Sequence, residues 1–298
     1  MGWPRLREWA VRRFVAEPCR QRTYGALNSM GRTLLETPIR GGFPADQHTQ
    51  VGDGIGYVEP NKLAEIATAL ESLDSHEPYL FHKPFGARWG VEPFLKWATI
   101  GYALDQLGTP SDAEILDLGC GEGWTSVFLA EAGYRPTGID LAPARIKMAV
   151  ARAARWSVDA TFEVGDMDEL DLGRQFDAVL VYDALHHSAR QRIVAANVAN
   201  HLRPGGWVLF GEPSWLHAVS PDARRASREL GWIERGIRVR SLRHDCAAAG
   251  LGDFRRFFEP TRPYHDRLRG FGWQATRLLA ADIALAPQAS VWFAARRP

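Results

Sequence analysis

The spacing of apolar residues changes character partway along the chain. Before residue 108 it is helical: Trp3, Leu6, Ala10 and Phe14 fall on one face of a stretch otherwise rich in arginine. One or two helices are expected over residues 1–35, and two more near 61–73 and 92–107. Between them lie a loop rich in glycine and proline (Gly41, Gly42, Pro44, Gly52, Gly54, Gly56) and an aromatic loop carrying Tyr79, Phe81, Phe85 and Trp89. Beyond Gly108 short apolar runs alternate with amphipathic stretches, the pattern of βαβ units around a mostly parallel sheet. Strands are expected near 114–118, 136–140, 160–164, 176–181 and 206–211, with helices near 124–132, 143–155 and 189–202. The tail adds a helix near 241–249, a strand near 252–258, a helix near 273–285 and a strand near 289–295. The fold class is therefore α/β, with helices on both faces of the sheet. Residues 1–108 form an N-terminal extension expected to act as a lid on the substrate side, and residues 109–298 the ligand-binding domain.

Composition narrows the partners. The hydrophobic share of 46% and charged share of 24% are those of a globular protein. A net charge of +1 gives the whole molecule no strong attraction to nucleic acid. Cys19, Cys120 and Cys246 are odd in number and far apart, which argues against a disulfide scaffold and a zinc knuckle and suits a reducing cytoplasm. No metal site is expected. The first twenty residues are interrupted by Pro4 and by charges, unlike a signal peptide, and no run reaches the ~20 apolar residues of a membrane span. The basic amphipathic stretch from Trp3 to Phe14 suits contact with an anionic membrane surface. Oligomeric state is not encoded in any pattern here.

The strongest chemical signal is the run Glu114-Ile-Leu-Asp-Leu-Gly-Cys-Gly-Glu-Gly-Trp124, a buried strand entering a glycine turn and then a helix. Such turns occur in nicotinamide, flavin and S-adenosylmethionine (SAM) enzymes alike, so charge has to decide. A dinucleotide puts its pyrophosphate at the helix N-terminus. Here Asp117 precedes the turn, Glu122 lies within it, and the spacing is G-x-G-x-G, so an anion is repelled and a cationic amino-acid tail is welcome. Asp140, nineteen residues beyond Gly121, stands where a carboxylate accepts hydrogen bonds from ribose hydroxyls, although taken alone it reads equally well as a helix cap. Asp166, at the end of the next run, can accept from an adenine amine while Met167 covers the ring.

These stretches, with Phe176-Asp-Ala-Val-Leu-Val-Tyr-Asp-Ala-Leu-His-His187 and Leu202-Arg-Pro-Gly-Gly-Trp-Val-Leu-Phe210, resemble the class I SAM-dependent methyltransferases acting on small molecules. The resemblance is strong for about a third of the chain and hardly touches residues 1–90. It implies a Rossmann-like seven-stranded sheet whose last strand is antiparallel, with SAM lying across the strand ends and S-adenosylhomocysteine as its product. By position it assigns Asp117, Gly119, Gly121 and Gly123 to the methionine part, Asp140 to the ribose, and Asp166 and Met167 to the adenine. It also places Cys120, Leu141 and Tyr182 in the cofactor pocket.

If the methyl acceptor is a hydroxyl, a base should stand near it. His186 and His187, beside Asp183 at the end of the fourth strand, are the candidates, with Glu212 and His217 second in rank. Their adjacent spacing is not that of a helical metal site. The expected activity is O-methylation of a sugar or a glycosylated or hydroxylated metabolite. N-methylation of a small amine, a non-catalytic SAM-fold module at a membrane surface, and a nicotinamide oxidoreductase are the alternatives.

Overall fold

The computed structural model describes residues 59–74, 92–259 and 290–298. The expected helices over 1–35 and 273–285, the glycine-rich loop and the aromatic loop lie outside those residues. In chain order the described elements are α1 (Pro60–Asp74), α2 (Glu92–Gln106), β1 (Glu114–Leu118), α3 (Trp124–Glu131), β2 (Arg135–Asp140), α4 (Pro143–Trp156), β3 (Thr161–Val164) and β4 (Phe176–Tyr182). A 3-10 turn (Leu185–His187), α5 (Gln191–His201), β5 (Leu202–Pro213), a second 3-10 turn (His217–Val219), α6 (Pro221–Glu229), α7 (Val239–Ala248), β6 (Gly252–Phe257) and β7 (Ser290–Arg296) follow.

The seven strands form one sheet in the order β3-β2-β1-β4-β5-β7-β6. The first five are parallel, and β7 runs antiparallel to both of its neighbours. The alternation of side chains along each strand explains the near-continuous apolar runs, because both faces are covered. Ile115, Ala178, Leu180, Trp207, Leu209 and Trp292 belong to one core with α2, α3 and α4. Leu116, Leu118, Val179, Val181, Val208, Phe210 and Phe293 belong to the other, with α5 and α7.

The first core is unusually aromatic. Phe128 makes edge contacts with Trp97 at 5.2 Å and Trp124 at 5.9 Å between ring centres, and Tyr182 sits between Trp124 and Trp292 at 5.7 and 5.9 Å. Helix α2 falls in the extension by sequence, yet it supplies Trp97, Ile100 and Leu104 to this core. Helix α1 lies instead against α4, close to the strand ends where the cleft opens.

Candidate functional site

Three parallel strands end side by side at the cleft. Leaving β1, the chain turns through Gly119, whose amide, like that of Cys120, donates to the Ile139 carbonyl at the end of β2 (2.8 and 2.9 Å). Only glycine suits position 119. Its φ is +80°, and a Cβ there would lie 2.3 Å from that of Ala184 and 3.5 Å from Cε of Met167. Gly123 is similarly confined, with Ala149 and Phe162 against its back, so this glycine serves helix packing.

Asp117 points to the α3 side of the sheet and is buried. Its Oδ2 accepts from the hydroxyls of Thr125 and Ser126, both at 2.6 Å, and it takes the Ser126 amide as well. Burial pushes its carboxyl up to about 6, against the pull of those hydrogen bonds. The N-terminal turn of α3, where a dinucleotide would rest its pyrophosphate, therefore already holds a carboxylate.

The cleft encloses about 560 Å3 of empty space, part of it open to solvent. Of the residues singled out in the sequence, Gly119, Asp140, Leu141, Asp166, Met167 and His187 line it. Asp117, Cys120, Gly121, Gly123, Tyr182 and His186 are not part of that lining: Asp117, Cys120 and His186 are buried, and the partly buried Tyr182 packs against the aromatic core. Asp140 receives the Gly121 amide on one oxygen and the Ala142 amide on the other, each at 2.9 Å. Each oxygen keeps a further lone pair for a ligand hydroxyl. Burial raises its carboxyl, while Arg145 and the two amides oppose the shift. Asp166 accepts from the Asp168 amide at 2.9 Å.

Helix α1 adds residues the sequence reading had not singled out. Lys62 Nζ lies 2.6 Å from Asp166 and 2.8 Å from Asp168. Burial pulls the lysine down, but its bonds to the two acids more than offset that and leave it raised. Glu65 also lines the cleft, pushed up to about 7 by burial despite Arg145. The scarcity of lysine in the chain, four in all, was the one available hint at Lys62.

The two histidines separate in role. His186 is buried, with Nδ1 2.8 Å from Glu212, whose carboxylate also receives the amides of Ala184, Leu185 and His186. Burial disfavours its charged form, but the Glu212 hydrogen bond and charge prevail and raise it to about 9. His187 is pushed down to about 3, by burial and then by the charge on His186, whose ring centre is 4.0 Å away. Nδ1 of His187 lies 3.0 Å from the Ile233 carbonyl, which can only accept, so the proton sits there and Nε2 is the free acceptor. His217 Nε2 meets Glu234 at 2.7 Å, close to the same histidines.

Residues 115–206 match the family model of the methyltransferase domain. The chain is 33% identical over 168 residues to the ubiquinone biosynthesis O-methyltransferase of Bordetella pertussis, covering 56% of this chain and 65% of that protein, which is less than two thirds of its length. It is 29% identical over 210 residues to the enzyme of the same name from Rickettsia bellii, covering 65% of this chain and 80% of the relative. Among solved structures, magnesium protoporphyrin IX methyltransferase of Synechocystis with bound SAH superposes with a TM-score of 0.57 at 15% identity, covering 80% of this chain and all of that one. A SAM-dependent methyltransferase from Mesorhizobium loti gives 0.51 at 22%, covering 68% of this chain and all of its own. At these identities the structural matches speak to fold alone.

Proposed function

We propose that the chain, whose residues 115–206 match the methyltransferase domain, is a class I SAM-dependent methyltransferase that transfers a methyl group from SAM to a hydroxyl of a small polar acceptor. One observation carries the cofactor half of this reading. Asp140 and Asp166, at the ends of neighbouring strands, face one cleft beside the Gly119 turn, while Asp117 fills the place a phosphate would need. The donor set fits SAM, which brings hydroxyls, an exocyclic amine and a cationic tail but no phosphate. Asp140 would hold the ribose, Asp166 the adenine amine with Met167 across the ring, and the Gly119 turn the methionine part. Leu118, Ile139 and Leu141 supply apolar wall. Asp117 acts from behind, fixing the start of α3 and hence the turn.

When bound, SAM supplies an electrophilic methyl for in-line displacement, and the chain's work is to align the acceptor and exclude water. His187 is the residue placed to meet the acceptor in this reading: it lines the cleft, and its Nε2 can accept a hydrogen bond from the acceptor hydroxyl and orient it, although a ring pushed down to about 3 is too weak a base to take the proton ahead of methyl transfer. His186 carries its own proton toward Glu212 and positions the turn. The O-methyltransferase names of the relatives favour a hydroxyl acceptor over an amine. A sugar or glycosylated metabolite is the narrower class we infer from the sequence.

Isothermal titration with SAM and with NAD tests the cofactor, and SAM binding with NAD silent is expected. A panel of sugar alcohols, phenols and amines with radiolabelled SAM then tests the acceptor. Labelled amines with unlabelled hydroxyl compounds would overturn O-methylation. NAD binding in place of SAM would overturn the whole reading.

A further inference from the structure

We propose that His186, His217 and Glu234 form a binding site for a divalent cation of the zinc and cobalt class, adjoining the cleft behind His187. One ligand atom from each residue lies within 4.8 Å of the other two. Nε2 of His217 is 2.7 Å and Nε2 of His186 is 3.6 Å from Oε2 of Glu234. To hold zinc at the ~2.0–2.2 Å it takes with imidazole and carboxylate, His217 and Glu234 would exchange their mutual hydrogen bond for the cation, and His186 would close on it from the other side. Two imidazoles and one carboxylate select such a cation over magnesium or calcium, which prefer all-oxygen shells.

A second observation concerns the partner behind the first ligand. His186 uses Nδ1 to donate to Glu212 at 2.8 Å, which fixes the ring and turns Nε2 toward Glu234, where a cation would bind by displacing the Nε2 proton. Glu212 is itself immobilised by three backbone amides of the turn after β4. This carboxylate-histidine arrangement is how proteins orient metal-bound imidazoles and raise their basicity. The charge balance also suits a cation, since the Glu212 and Glu234 carboxylates lie 2.8 and 3.6 Å from the two nitrogens of His186. The His217 side chain is 28% exposed, so a cation has a route in and a coordination position open to water or to an acceptor oxygen.

The three ligands come from three separate segments: the turn after β4, the turn after β5, and the connection between α6 and α7. That connection already leans on the same wall, through the Arg235 amide to the His186 carbonyl at 3.0 Å and the Ile233 carbonyl to His187. A bound cation would clamp all three and hold His187 against the cleft. The site itself does not depend on the methyl-transfer reading.

The test uses the full chain, stripped with a chelator and dialysed. Cobalt(II) serves as a spectroscopic probe, zinc as its competitor, and SAM titration of the same samples as an independent measure of the cleft. One cobalt per chain with visible d–d absorption is expected, displaced by zinc, together with a rise in melting temperature on zinc addition. His217→Ala, on a partly exposed ring, and Glu234→Gln should each weaken cobalt by more than the ~10- to 100-fold typical of losing an orienting partner. Cobalt binding that survives both variants unchanged, or no stoichiometric binding to the wild type, would overturn the proposal. Cobalt binding with no SAM binding would support the metal site and sink the cofactor reading instead.

Discussion

Asp117 makes a quantitative prediction possible, because its carboxyl is 1% exposed and raised from 3.8 to about 6 mainly by burial. Below pH 4 the group is protonated in folded and unfolded chains alike and costs nothing electrostatically. Between pH 4 and 6 the unfolded chain gives up the proton while the folded chain keeps it, so stability falls as pH rises. Above pH 6 the full penalty applies: about two pKa units at ~1.4 kcal/mol each, or roughly 3 kcal/mol. Asp117→Asn cannot ionise and escapes this penalty. It retains one oxygen for Thr125 and Ser126 but places an amide among groups that donate, at a fixed cost of about 1–3 kcal/mol. The variant should therefore be clearly weaker than wild type at pH 4 and close to it, or above it, at pH 7. Urea melts at several pH values between 4 and 7 measure the gap, which should close by roughly 3 kcal/mol, while titrating groups that do not interact with Asp117 cancel in the difference. Parallel curves, with a constant offset, would show that Asp117 is already ionised throughout and that the reasoning from burial is wrong.

Three further outcomes are expected. Gly119→Ala meets both a positive φ and Ala184, so it should cost about 2–5 kcal/mol and abolish SAM binding; a variant that melts and binds SAM like wild type would show the turn to be loose. Phe128→Ala removes the centre of the aromatic core and should cost about 3–5 kcal/mol in chemical denaturation, with a loss below 1 kcal/mol counting against that packing. Lys62→Met frees Asp166 for a ligand amine and should tighten SAM roughly tenfold by calorimetry, whereas unchanged or weaker affinity would mean that lysine and ligand do not compete for it.

Much of the sheet could be read from the chain because its signals are local. The apolar run before Gly119 ends in a turn whose backbone only glycine tolerates, and β1, β2 and β4 lie within a residue of their expected bounds. Strand β5 starts four residues early, at Leu202, because Leu202 pairs with Phe176 of β4 across a register shift and Gly205 and Gly206 bond to the backbone of Arg297, drawing in a Pro-Gly-Gly segment with no strand preference of its own. Helix α6 gave no periodic signal, since Ala223 is its one buried residue; Ser220 as cap and Pro221 behind it were the available marks. Within the site, Asp140, Asp166 and His187 were legible because each closes a strand or the turn after it. Lys62, Glu65 and Glu234 were not, because they reach the cleft or its wall from segments far away in sequence, and no local pattern encodes such meetings.

The placement of β7 has a consequence for synthesis. It is the last described strand to be made, yet it lies between β5 and β6. Until residues 290–296 have left the ribosome, β5 presents an edge, and β6 lacks the one strand it pairs with, among the described residues. Unpaired edges of this kind recruit foreign strands, so nascent and truncated chains should be the ones that depend on chaperones and aggregate without them.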